Sequence, residues 1–224
     1  MIVGIEAIAQ LVHDSVPSDR RALVAIDGVD GSGKSTFARA LARDITTRPV
    51  VLIHADDFLN PASIRHRRGR SSPEGFWLDS YDYDALAREV LRPLRPSGDG
   101  RYRARSYDRA TDTGTRPALR RAPRHALVLI EGLFLHRDGL VAAWDFSVFL
   151  DVPFPETARR MAARDGSHPD PDHASMRRYM DGQRLYFAAA RPWERASIVV
   201  ENSDPGRPHV IAPEAASAAR NGAG

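Results

Sequence analysis

Eight consecutive residues constrain this chain more than any others: Gly28-Val29-Asp30-Gly31-Ser32-Gly33-Lys34-Ser35. They satisfy G-x-x-x-x-G-K-[S/T] without a mismatch. Before them stands an apolar run, residues 22–27 (ALVAID), and after them TFARALARDI, where Phe37, Leu41 and Ile45 recur at helical spacing. Strand, glycine loop and helix in that order aim successive backbone N–H groups at phosphate oxygens, and the helix adds its N-terminal partial charge and free amides. In such a cradle Gly28, Asp30, Gly31, Ser32, Gly33 and Thr36 supply backbone contacts. Lys34 reaches the β and γ phosphates of a nucleoside triphosphate such as ATP, and the Ser35 hydroxyl ligates Mg2+. The competing account is a glycine-rich turn without function, and composition weighs against it. Among 32 lysines and arginines, Lys34 is the single lysine. A compact, strongly hydrated ammonium is not interchangeable with a planar guanidinium, so position 34 calls for lysine chemistry.

Further short apolar runs follow, each ending in a polar group: residues 50–54 before Asp56-Asp57, 126–130 before Glu131, 146–150 before Asp151, and 198–200 before Glu201-Asn202. Helical patterns separate them, at about 82–91, 155–164 and 173–190, and a short surface helix fits the N-terminal residues. This alternation predicts an α/β fold of three layers, with a mostly parallel five-stranded sheet covered on both faces. Right-handed crossovers place the C-terminal ends of all five strands on one edge, where open sheets bind ligands. Residues 1–204 read as one domain, with a substrate-binding insertion at about 59–110 and a lid at about 159–173. Within the insertion, residues 59–78 read as irregular and mobile, and 101–106 as an edge strand. Residues 205–224, rich in Ala, Pro, Gly and Ser, read as a disordered tail.

Phosphoryl transfer to an alcohol needs a carboxylate within reach of the attacking hydroxyl, and Asp56 is the preferred base, supported by Asp57. Capping a turn or holding metal-bound water is the alternative for this pair. Glu131 resembles the acidic residue that holds Mg2+ in nucleotide-binding sheets; helix capping is the competing role. Arg160 and Arg164, four apart on one helical face beside a breaker-rich loop, read as lid residues that neutralise developing charge, against the default of a solvated arginine face. The cluster Arg65, Arg67, Arg68 and Arg70 either meets an anionic substrate or forms a mobile basic loop.

Zero cysteines exclude a disulfide framework and thiolate chemistry and permit a reducing, cytoplasmic setting. No apolar run has membrane-spanning length, and no signal sequence precedes the first strand. The formal charge of +3 arises from interleaved signs, 32 basic against 29 acidic residues, without a basic tail or aromatic-basic motif. Nucleic acid is therefore not an expected partner. A homo-oligomer stays open.

The ordered set GVDGSGKST, HADDF, LVLIEGLFL, VFLDVPFPETARRMAARD, YMDGQRLYF and ASIVVEN, spanning about residues 22–203, resembles the phosphoribulokinase/uridine kinase branch of the P-loop kinases. Uridine kinase is the nearest likeness. The resemblance implies transfer of the γ-phosphoryl group of ATP, with Mg2+, to the 5′-hydroxyl of uridine or a related nucleoside. It implies Asp56 as base, Glu131 near the metal, Asp79 on ribose hydroxyls, Tyr102 against the base, and Tyr107 in place of a base-reading histidine. The family's F-D-H-P-x-A-F-D stretch is present only as LDSYDYDAL, with altered spacing. Other acceptors, such as pantothenate, a sugar or a sugar phosphate, stay open, as does a regulatory ATPase without acceptor.

Overall fold

The computed structural model describes residues 2–221. α1 (Ile5–Ser15) buries Ile8, Ala9 and Val12 along one stripe. β1 (Ala22–Gly28) runs through the glycine loop into α2 (Lys34–Asp44), and β2 (Val50–His54) ends in a 3-10 turn, Ala55–Phe58. Next come α3 (Ala62–Arg65) and α4 (Pro73–Asp79), the latter capped by the Ser72 side chain, which accepts from the Gly75 amide. A helical rod follows: α5 (Tyr83–Leu86), a π turn (Ala87–Leu91) and α6 (Arg92–Leu94). Pro93 accounts for the irregularity, because it cannot donate to the Glu89 carbonyl, which instead accepts from the Arg103 amide at 3.1 Å.

Four two-residue strands come next: β3 (Arg101–Tyr102), β4 (Tyr107–Asp108), β5 (Thr113–Gly114) and β6 (Arg120–Arg121). β3 pairs with β6 and β4 with β5, both antiparallel. β7 (Leu127–Glu131) and β8 (Phe146–Asp151) return to the main sheet. After them lie α7 (Phe154–Asp165), α8 (Arg177–Ala190), α9 (Pro192–Arg195), β9 (Ile198–Glu201), β10 (His209–Ile211) and α10 (Ser217–Asn221).

The main sheet has the order β10-β9-β8-β1-β7-β2, with all neighbours parallel except β10, which runs antiparallel to β9. Alternation along β1 sorts its side chains: Ala22, Val24 and Ile26 face α1 and α2, whereas Leu23 and Ala25 join the core shared with α4, the helical rod and α8. The α/β three-layer architecture read from the sequence is therefore present. Among the described residues no helix is long and apolar enough to cross a membrane.

Four expectations change. The sheet holds six strands rather than five, because β10 adds an edge. Residues 205–221 are not a disordered tail: β10 pairs with β9, and Asp151 accepts from Ser217 and Ala218 at the start of α10. Residues 222–224 of that expectation lie outside the described residues. The stretch 59–78 is not irregular but carries α3 and α4, and the proposed edge strand at 101–106 shrinks to β3.

α4 crosses α8 at Gly182, where an added Cβ would lie 2.8 Å from Phe76 Cδ1 and 2.9 Å from the Pro73 carbonyl oxygen. Helix propensity alone favours alanine there by about 1 kcal/mol. Backbone contact on the other side of the crossing forces the helices apart, which costs about 1–3 kcal/mol. Gly182→Ala is therefore expected to lower the midpoint of chemical denaturation; a raised midpoint shows that the crossing has slack.

Candidate active site

The glycine loop takes its shape from backbone that other residues adopt poorly. Gly33, at the start of α2, sits at φ 87° in the left-handed region, which turns the chain from the loop into the helix. The Lys34 ammonium donates to the Val29 carbonyl at 2.8 Å, folded back over the loop. The Ser32 hydroxyl is buried and finds no partner among the described residues. Ser32 lies beneath the loop and does not line the cavity, whereas the Lys34 ammonium, held by a single carbonyl and facing the cavity, is a group that a phosphate would satisfy.

A cavity of about 780 Å³ opens over the loop, lined among others by Lys34, Ser35, Asp56, Glu131, Arg164 and Asn202. The Ser35 hydroxyl donates to Glu131 Oε1 at 2.8 Å, and His54 Nδ1 lies against the same oxygen. Burial opposes ionisation of Glu131. The hydrogen bond from His54, the charge of Lys34 and the Ser35 hydroxyl outweigh it and hold the carboxyl below its ordinary range. A hydroxyl and an ionised carboxylate in contact beside the loop are hard oxygen donors of the kind Mg2+ takes, so the residues present fit that ion.

On the far side of the cavity stands Asp56, in the turn after β2. Both of its oxygens are engaged: Tyr81 OH donates to Oδ1 at 2.8 Å, and Arg109 Nη2 lies 3.2 Å from Oδ2. Burial, then the nearby Asp56 charge, pushes the Tyr81 phenol well above its ordinary value, so it remains a donor at all ordinary pH. Asp57 is half-buried, with its carboxyl raised chiefly by burial, and it does not line the cavity.

Arg160 and Arg164 both line the cavity, and they differ in what holds them. Arg164 Nη1 reaches Asp30 Oδ1 at 3.2 Å. Arg160 is also a tether: it takes Glu156 at 2.8 Å, the carbonyls of Asn202 and Ser203 at 3.0 and 2.7 Å, and lies 3.4 Å from the Ser32 carbonyl. Arg159 pairs with Glu156 at the surface.

Several residues read from the sequence are placed elsewhere. Asp79 is buried at 2% exposure with Arg67 and Arg68 on its two oxygens, so it faces its own segment rather than the cavity. Tyr102 is packed in the core beside the helical rod. Tyr107 is buried, its hydroxyl held by Asp112 at 2.6 Å and by Arg65 at 3.0 Å. Of the four arginines at 65–70, three are thus tied to Asp79 or Asp112, and none lines the cavity. Two other strand-end carboxylates also turn away: Asp27 accepts from Tyr186 and His136 inside the core, and Asp151 caps α10. Asn202, one of the polar groups at the strand ends, does line the cavity, whereas Tyr81, Arg109 and His54 are residues the sequence does not mark. Tyr81 stands two residues from Asp79, in a stretch whose altered spacing obscured it. Arg109 is one arginine among many and carries no signal.

Two outcomes follow from this geometry. Tyr81→Phe removes the donor that orients Asp56 and should lower turnover about tenfold while the KM for nucleotide stays within twofold, measured by coupled ADP release. Asp79→Asn should lower the melting temperature by several degrees with the acceptor KM nearly unchanged. A selective rise in that KM instead shows that Asp79 leaves its arginines to hold substrate.

Comparison with known proteins agrees with this frame. The family model described as phosphoribulokinase/uridine kinase family matches residues 23–167. Nicotinamide riboside kinase 1 of Mus musculus is 28% identical over 153 residues, 68% of this chain and 71% of that protein. A possible uridine kinase from Bacillus stearothermophilus superposes with a TM-score of 0.69 at 22% identity, over 87% of this chain and 96% of that one. A putative fructose transport system kinase from Silicibacter sp. TM1040 gives 0.66 at 26% identity, over 84% and 95%. With the matched span running from β1 through α7 and carrying the glycine loop, Asp56 and Glu131, the chain belongs to the phosphoribulokinase/uridine kinase family of P-loop kinases.

Proposed function

We propose that this kinase transfers the γ-phosphoryl group of ATP, with Mg2+, to a hydroxyl of a small acceptor, and that the acceptor is a ribonucleoside phosphorylated at its 5′ position. The observation that carries the transfer is the placement of Asp56 across one cavity from Lys34, Ser35 and Glu131. The glycine loop and Lys34 hold the triphosphate. Ser35 and Glu131 would hold Mg2+, which when bound neutralises phosphate charge. Asp56 accepts the proton of the attacking hydroxyl, and Tyr81 keeps its carboxylate turned toward that hydroxyl. Arg164 lies where charge on the transferred group is met from the α7 side. The work is positioning and charge stabilisation, with little covalent chemistry asked of the protein.

The ribonucleoside reading is supported by the resemblance of the ordered motifs and by the similarity to nicotinamide riboside kinase 1. A second reading has its own observation. Arg109 stands on Asp56, and the charges of Arg105 and Arg109 both act on Asp57. The buried Tyr102 and Tyr107 offer no stacking platform in the cavity. A cationic rim without such a platform favours an anionic alcohol, a sugar phosphate or hydroxy acid.

Coupled ADP release across nucleosides, sugars, sugar phosphates and hydroxy acids separates these. Nucleoside-dependent turnover supports the first reading. Turnover with anionic alcohols, with a KM that rises about tenfold in Arg109→Ala, supports the second. Steady hydrolysis with no acceptor dependence overturns both. Asp56→Asn should retain ATP affinity and lose at least ~10²-fold in turnover; near-normal activity removes Asp56 from the mechanism.

A further inference from the structure

The cavity over the glycine loop extends well past the phosphates. Besides the catalytic groups it is lined by Ala40 and Arg43 of α2, by Pro205, Gly206 and Pro208 between β9 and β10, and by Ile5 at the start of α1. Strand order gives these positions a direction. Asp56 follows β2 at one edge of the parallel array and residues 205–208 follow β9 at the other, four strand spacings or about 19 Å apart, with the loop after β1 midway. A triphosphate whose γ end faces Asp56 must carry its nucleoside toward β9. This argument rests on the reading of the loop as the triphosphate site.

Ile5 reaches that end because the residues before α1 are sewn to the β9–β10 edge. The Gly4 amide donates to the Pro208 carbonyl at 2.7 Å, the Val210 amide donates to the Ile2 carbonyl at 2.9 Å, and Val3 bridges His209. Gly4 turns at φ 91°, and Ile8 and Val12 of the following helix pack in one cluster with Phe37 and Leu41 of α2. Residues 2–5 are therefore a strap fixed at both ends, and Ile5, half-buried, is presented to the cavity beside Ala40, Pro205 and Pro208.

We propose that this strap forms one wall of a nucleobase subsite, with Ile5 contacting the base of the bound nucleoside triphosphate and residues 205–208 completing the pocket. The chemistry matches: flat apolar ring faces are held by aliphatic and proline surfaces, and two proline nitrogens in the loop carry no N–H. It also gives α1 a role beyond covering the sheet.

The test compares ligands with and without a base. Binding of ATP and of inorganic tripolyphosphate, each with Mg2+, is measured by calorimetry on the whole chain for the native protein, Ile5→Ser and Ile5→Leu. Position 5 is the first residue of a helix and only half-buried, so serine is expected to be accommodated. Ile5→Ser should weaken ATP about tenfold and leave tripolyphosphate within twofold, and Ile5→Leu should bind both as the native protein does. Unchanged ATP affinity in Ile5→Ser, or equal loss of both ligands, overturns the subsite. Failure of the native protein to bind either ligand overturns the triphosphate reading beneath it.

Discussion

A backbone amide that points at a phosphate turns a neighbouring carbonyl the opposite way, and that carbonyl must still find a donor. The glycine loop depends on this accounting more than on any group facing the ligand. The Val29 carbonyl takes the Lys34 ammonium and the Ser32 amide; the Ser32 carbonyl takes the Asn202 side-chain amide at 2.8 Å. Gln183 of α8 accepts from the Asp30 amide at 3.2 Å. β9 and α8, distant in sequence, thus converge on the outer side of one turn. Without them the loop could expose the same glycines and still not hold its amides inward.

The stretch between β2 and β7 is organised by charge. It is built of short helices and two-residue strands, and it is held by buried or half-buried carboxylates claimed by arginines: Asp79 by Arg67 and Arg68, Asp112 by Arg65, Glu89 by Arg103. Taking one partner from a buried pair leaves an uncompensated charge, which is why these contacts hold the segment in register even where hydrogen-bonded ladders are only two residues long. The same chemistry accounts for Arg109 on Asp56, where the carboxylate is 58% exposed and the contact is correspondingly loose.

The parallel strands and the glycine loop were legible because their signals are local: apolar runs, a fixed motif, and a lone lysine against a background of arginine. The sixth strand was not, since three residues between proline-rich stretches carry no alternation to read, and pairing with β9 decides their conformation. Strand-end carboxylates show the sharper difficulty. Asp27, Asp56, Glu131 and Asp151 look alike in sequence, yet two line the cavity and two serve the core and α10. Which way such a side chain turns depends on what the next element offers: a tyrosine on α8 for Asp27, the start of α10 for Asp151. Likewise Asp79 and Tyr81 lie on one short stretch. One faces arginines and the other faces Asp56, a difference set by where α4 stops.

The tether formed by Arg160 bears on how far the α7 region can travel. Its guanidinium joins α7 to residues 202–203 and approaches the glycine loop, so the helix up to that point is part of the frame. The first place where the chain departs from helical geometry is Gly166, at φ 77°. Arg164 stands before that break, on the same continuous helix as the tether, so its guanidinium is held toward Asp30 and the cavity by the frame itself and not by the breaker-rich loop that follows Gly166.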